Sequence, residues 1–323
     1  MSMLFDDEGG GNGPEASVIN TSYLGAMERA RCKYVDDPFA EKLAGPEGKK
    51  MCELADDYYK PYVNMMTTYV GARTVYLDSL IKDFVKNGGA QLVVMGAGLD
   101  SHAFRLQELA SCKVFEVDFP HIFSIKNERL ENAKPVCLER KEIPLDVSKG
   151  NWDSLLIDAG FDKAKLAFFL VEGLLMYLSE DDNLDVIRKI SNISVKGSLM
   201  AGDWMAMTAL HAYRPRPFDL VGKIVAEKCQ AQFLWSTKNL DDLESFLGAE
   251  GIEIVETVDL NVYKPQIRKR ISNILGYSPK EYDKPKLSLP LRSILWVFFY
   301  MLPSAALGFT PKVANALYLA KKK

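Results

Sequence analysis

One stretch, Ala90 to Pro120 (AQLVVMGAGLDSHAFRLQELASCKVFEVDFP), limits the fold more than any other part of the chain. Leu92 to Met95 reads as an apolar strand, Gly96 and Gly98 as a glycine turn, and the Leu- and Phe-rich segment after them as a short helix. A second apolar strand follows and closes on Glu116 and Asp118. Strand, tight turn, helix and strand in that order form the first half of a doubly wound nucleotide-binding sheet. A glycine turn bends sharply and lets a ligand reach main-chain atoms, because no Cβ blocks the approach. The helix behind it offers unpaired N–H groups at the same place. Glu116 and Asp118 are spaced i, i+2 and share a face at the carboxyl end of the second strand. A carboxylate there can accept both hydroxyls of a ribose.

The turn is Gly-Ala-Gly-Leu-Asp-Ser, so it lacks the third glycine of the dinucleotide fingerprint. Asp100 also puts a negative charge where a pyrophosphate would lie. A ligand with adenosine and no phosphate suits this turn better, and S-adenosylmethionine is the common one. Alone, the pattern does not separate a nucleoside site from an ordinary α/β turn.

Four motifs carry a resemblance: GAGLDSHAFRL, FEVDFP, LDV at Leu145 to Val147, and EGLLMYL at Glu172 to Leu178. In order and spacing they resemble the leucine carboxyl methyltransferase family, including its polyketide O-methyltransferase relatives. The likeness extends upstream to RARCKYVDDPFAEKLAG (Arg29 to Gly45) and GARTVYLD (Gly71 to Asp78), and downstream to the Trp235 to Gly251 segment. It implies an α/β fold with a doubly wound, mostly parallel seven-stranded Rossmann-like methyltransferase sheet, its last strand antiparallel, with N-terminal helices and an inserted helical lid. It also implies S-adenosylmethionine as cofactor, lying across the carboxyl ends of the first four strands. Arg73 would meet the carboxylate of the cofactor, where a planar guanidinium suits bidentate capture. Asp146 and Val147 would hold the adenine, and Glu172 would line the pocket. Gly96, Gly98 and Asp118 complete the expected cofactor-binding set. Its N-terminal segment would bring a basic residue toward the methionine carboxylate as well. Arg29 itself reads as a solvated arginine on a helix.

Glu172 is independently notable. KLAFFLVEGLLMYL, Lys165 to Leu178, is the continuous apolar run of a central strand covered on both faces, and Glu172 sits inside it. An unpaired carboxylate buried there costs several kcal/mol. Its partner is an arginine, a backbone N–H group or a bound cation, and the ammonium and sulfonium of S-adenosylmethionine are such cations.

The rest of the chain is organised around this unit. Residues 1–16, acidic and Gly-rich, read as a disordered tail rather than a secretory leader. Residues 17–323 read as a single methyltransferase domain: an N-terminal helical cover at 17–87, a cofactor-binding core at 88–205, a lid at 206–233 and the C-terminal part of the core at 234–323. A helical pattern runs from Ser17 to Leu43, and a second helix from Pro61 to Asn87. Pro135 to Val147 reads as the third strand. Ser179 is an N-cap followed by acidic residues, starting a helix that runs to about Ile193. SLMAGDWM is a fifth strand with Asp203 at its exit, and Val313 to Ala320 is the last strand. The apolar segment 287–309 contains at most nine uninterrupted apolar residues, Ile294 to Leu302, too few for the ~20 that span a bilayer. It reads as a packed helix, with a homodimer surface or a peripheral membrane contact as the other options.

A net charge of −3 and a pI near 5.8 argue against a nucleic-acid partner. Five cysteines, Cys32, Cys52, Cys112, Cys137 and Cys229, lack any C-x-x-C pair or metal-ligand spacing and read as reduced thiols of a cytoplasmic protein. The expected acceptor is the carboxylate or hydroxyl of a small or lipophilic metabolite. A carboxylate needs no base, whereas a hydroxyl does. His211, in the lid, is the histidine nearest to such a role, although it reads more readily as a surface residue. The competing functions are a protein C-terminal leucine carboxyl methyltransferase, a nicotinamide-dependent oxidoreductase and a non-catalytic nucleoside-binding protein.

Overall fold

The computed structural model describes residues 14–58, 64–205, 233–259 and 315–323. The expected lid apart from Phe233, its His211, Cys229 and the apolar segment 287–309 lie outside the described residues.

Seven strands form one sheet: β1 (Gln91–Met95), β2 (Lys113–Asp118), β3 (Glu139–Pro144), β4 (Ala167–Val171), β5 (Leu199–Met205), β6 (Ile252–Asp259) and β7 (Asn315–Lys322). Their order is β3-β2-β1-β4-β5-β7-β6. β1 to β5 pair in parallel, and β7 runs antiparallel to both β5 and β6. The doubly wound sheet with an antiparallel final strand is therefore present, and the strand order reverses outward from β1 and β4.

Both faces of the central strands are buried, which is why β1 and β4 are apolar without alternation. Leu92, Val94, Val114, Phe168 and Leu170 face one core, shared with Leu77 and Ile81; Val93, Met95, Phe115, Phe169 and Val171 face the other, shared with Trp152 and Leu156. Each fully buried Phe here contributes about 1.5–3 kcal/mol of transfer free energy. The outer strand β3 instead carries Glu139, Arg140, Lys141 and Glu142, charges that discourage pairing with another chain at an open edge.

Helices α1 (Pro14–Arg31), α2 (Ala40–Tyr58) and α3 (Asn64–Lys86) precede the sheet. α1 packs on both of the others. Between the strands stand α4 (His102–Arg105), α5 (Pro120–Arg129), α6 (Trp152–Asp158), α7 (Glu180–Ile193) and α8 (Leu240–Ala249). Ser179 caps α7 as expected, its hydroxyl accepting from the Asp182 N–H at 3.1 Å.

Several boundaries move, and the helical pattern expected from Ser17 to Leu43 is two helices, broken between Arg31 and Ala40. The first helix begins at Pro14, inside the expected tail. The third strand is only Glu139–Pro144, because the flanking Pro135 to Leu138 and Leu145 to Val147 serve as connections. The fourth ends at Val171: the chain turns at Gly173, with φ +63°, and then forms a 3-10 turn over Leu175–Tyr177. Glu172 consequently stands just beyond a strand end and not in its middle.

Candidate functional site

The register brings the carboxyl ends of β1, β2, β3, β4 and β5 to one edge of the sheet, with Met95 beside Val117, Asp118 beside Pro144 and Val171 beside Gly202. Every expected site residue on the core lies at this edge or in the loops leaving it.

At the first end, Gly96 and Gly98 have φ values of +64° and +46°, backbone that L side chains rarely adopt. A Cβ on Gly98 would stand 2.7 Å from the Ser22 hydroxyl of α1, and one on Gly96 would stand 3.0 Å from Leu174. The space the glycines vacate on their Cβ sides is thus filled by protein. The Gly98 N–H donates to the Asp118 carboxylate at 2.6 Å, and the Phe119 N–H donates to the other oxygen at 2.7 Å. Asp118 is 5% exposed. Burial pushes its carboxyl up from the ordinary range, against the pull of the two N–H groups, so its ionised form is held at a cost. Glu116, its i, i+2 neighbour, is instead consumed in a buried cluster with Lys126 at 2.9 Å and Arg140 at 2.6 Å. Of the two carboxylates, Asp118 is the one at the edge.

Asp146 follows β3. Its carboxylate accepts from the Ser148 N–H and hydroxyl at 2.9 and 2.7 Å, which folds the loop into a tight turn. The Leu145 N–H donates to the Asp118 carbonyl at 2.8 Å, joining this loop to the end of β2. Val147 is buried in the second core.

At the β4 and β5 ends the chemistry changes. Arg73, from α3, stands with Nε 2.7 Å from Glu172 and Nη1 3.0 Å from Asp203. Asp203 also accepts from the Gly173 N–H at 2.5 Å and from the Tyr69 hydroxyl at 3.2 Å. Burial lowers the pKa of Arg73, but the carboxylates outweigh it, so the guanidinium is held firmly charged. Two carboxylates therefore share one cation, an excess of one negative charge among these groups. An arginine, one of the three kinds of partner expected of Glu172, is present, and Glu172 itself is partly exposed. The sequence marks Asp203 as a strand exit, the same position that singles out Asp118 and Asp146, without assigning it to the site; Tyr69 leaves no such signal.

Arg29 is corrected. It is not a solvated arginine: its side chain is 12% exposed, its Nε donates to Asp37 at 3.1 Å and its Nη2 donates to the Leu99 carbonyl at 2.7 Å. Asp37 is in turn bonded by Ser101, and Asp78 of α3 holds Arg105 bidentately at 2.6 and 2.7 Å. His102 lies between Asp78, 2.8 Å from Nε2, and Asp100, which meets Nδ1. Burial works to discharge the imidazole, but Asp100 and Asp78 prevail and raise its pKa to about 9. Asp100 thus serves as a partner of His102 in addition to its charge at the turn.

With this geometry in place, likeness to known proteins is informative. Residues 19–191 match the family model described as leucine carboxyl methyltransferase. A protein of Mycobacterium sp. (strain MCS), which carries the provisional name S-adenosyl-L-methionine-dependent methyltransferase, is 32% identical over 187 residues. These cover 55% of this chain and 76% of the relative. A protein of Mycolicibacterium vanbaalenii with the same provisional name is 33% identical over 213 residues, 62% of this chain and 72% of the relative. In fold, a DUF574 family protein from Streptomyces avermitilis is similar with a TM-score of 0.56 and 13% identity, over 96% of this chain and all of that one. The matched segment contains the glycine turn, Asp118, Asp146 and Glu172, and the chain belongs to the leucine carboxyl methyltransferase family.

Proposed function

We propose that this chain, an S-adenosylmethionine-dependent methyltransferase of that family, methylates an oxygen, either carboxylate or hydroxyl, of a small or lipophilic acceptor. The reading rests above all on the unequal charge at the β4 and β5 ends, where Glu172 and Asp203 share Arg73. A ligand that brings both a carboxylate and an ammonium suits that arrangement: the guanidinium binds the first, and Glu172 faces the second. The remaining residues fit the adenosyl half. Each Asp118 oxygen accepts one backbone N–H and keeps a further lone pair, so the carboxylate can take the two ribose hydroxyls. The adenine edge is assigned to Asp146 and the Val147 main chain, in the loop that leaves β3 at the same edge of the sheet. When bound, the cofactor supplies an activated methyl on a sulfonium; the protein aligns the acceptor oxygen behind it and excludes water. A carboxylate acceptor would need no base at neutral pH, whereas a hydroxyl would need one. The −3 net charge supports a small acceptor over a nucleic acid.

Calorimetry with S-adenosylhomocysteine tests the cofactor half: heat of association is expected with it and none with NAD, and the reverse overturns the reading. Incubation with labelled methyl donor and a metabolite extract tests the acceptor half. Label released as methanol by mild alkali marks a methyl ester and a carboxyl acceptor; label stable to alkali but released as methyl iodide by hydriodic acid marks a methyl ether and a hydroxyl acceptor, and label resistant to both overturns oxygen as the acceptor. Label transferred instead to a peptide ending in leucine, and to nothing in the extract, would replace the small-molecule assignment with the protein carboxyl one.

A further inference from the structure

Asp203 is the most buried charged group at the β4 and β5 ends: its side chain is 1% exposed, against 14% for Arg73 and 17% for Glu172. It collects contacts from two separate elements. Tyr69 and Arg73, one helical turn apart on α3, approach from one side, and the Gly173 N–H, immediately after Glu172, approaches from the other. The preceding residue makes this possible. A Cβ on Gly202 would collide with the Val171 carbonyl oxygen and crowd the Tyr318 hydroxyl. Only glycine lets the end of β5 come so close to the end of β4 that the next side chain reaches the turn of its neighbour.

Asp203 therefore fixes two things together: the guanidinium of Arg73 and the turn that aims Glu172. The ordering by burial gives each a direction, with Asp203 as the inner anchor and Glu172 as the outer, partly exposed carboxylate. A structural ion pair needs one carboxylate for one arginine, and a second buried one adds desolvation cost. That cost is offset when a cation arrives on the outer side. We infer that Asp203 is a positioning residue for the amino-acid half of the cofactor, setting the place of Arg73 and Glu172 without touching the adenosyl half. This inference rests on the cofactor reading given above.

The test compares two ligands on one protein. S-adenosylhomocysteine carries the carboxylate and the ammonium; methylthioadenosine shares its adenosine and thioether but lacks both. Asp203→Asn keeps the shape and removes the charge. Calorimetry is expected to show affinity for S-adenosylhomocysteine falling about tenfold or more, as a lost charge-assisted contact implies, with methylthioadenosine within about twofold of the parent. Equal loss of both ligands by a folded variant would make Asp203 merely structural and overturn the inference, as would no change for either. If Asp203→Asn shows no cooperative melting, Tyr69→Phe decides: a selective loss of S-adenosylhomocysteine of about threefold supports the inference, and its absence overturns it. A parent protein that binds neither ligand would refute the cofactor reading itself, and this inference with it, whereas a binding parent with an unselective variant would refute the inference alone.

Discussion

Besides the Glu116 cluster, two charge clusters flank the candidate site, and they differ in balance. Behind the glycine turn, Asp37, Asp78 and Asp100 meet Arg29, Arg105 and a protonated His102, three negative charges against three positive. At the ends of β4 and β5, Glu172 and Asp203 meet Arg73, two against one among the described residues. The first cluster is complete within the protein and ties α1 and α3 to the turn. The second leaves one carboxylate over among the described residues, room for the cation that the proposed cofactor brings. Buried charge that closes on itself holds a fold together, whereas buried charge that does not close points to a ligand.

The largest effect should come from the anchor between the two. Asp118→Ala removes the acceptor proposed for both ribose hydroxyls, and at about 1.5–3 kcal/mol for each hydrogen bond to a charged group affinity for S-adenosylhomocysteine should fall a hundredfold or more by calorimetry. Methylthioadenosine should suffer alike; binding of either ligand at parental strength would remove Asp118 from the site. Within the open cluster, Glu172→Gln should weaken S-adenosylhomocysteine about tenfold, as the loss of one charged contact implies, and leave methylthioadenosine nearly unchanged. Equal effects on the two would erase the distinction between the halves of the pocket.

The closed cluster should report through stability instead. His102 has a pKa raised to about 9 in the fold against about 6.5 unfolded. Its contribution is fully present below the lower value and is lost as pH rises through the higher one. His102→Gln should therefore melt about 5 °C below the parent at pH 6.5, with the gap closing toward pH 10. A gap that stays constant with pH would mean that the imidazole is neutral between its two carboxylates. Its affinity for S-adenosylhomocysteine should stay within about threefold of the parent, since loss of no more than a positioning contact is expected. The smallest effect belongs to Ser179→Ala, which belongs to neither cluster: loss of the α7 cap costs about 1 kcal/mol, read as a drop of about 1–2 °C in Tm with ligand binding unaltered.

Much of this was legible in the linear chain, and the omissions have a common cause. Local patterns announced β1, the glycine turn, β2 and Asp118, because strand, turn and acid lie close together in sequence and each leaves a mark there. Ser179 was legible for the same reason. Motif resemblance supplied Arg73 and Glu172, but their mutual contact spans α3 and the end of β4 and left no periodic trace. Asp203 was noticed only as a strand exit. Its meaning depends on Gly202 permitting a close approach to β4, a relation between distant segments. Arg29 was misjudged because a helix pattern shows which face is polar but not whether another loop covers it. The covering segment, with Asp37 and Leu99, comes from either side of two further helices.

The strand order also bears on the sequence of events in folding. β1, β2 and the turn between them can meet early, with little chain to close. β5 must wait on one side for β7, since Leu199 pairs with Lys321 and Asp203 with Leu317. Pairings across such long separations come late in folding. The Asp203 side of the site thus depends on pairings made across a far longer stretch of chain than the Asp118 side.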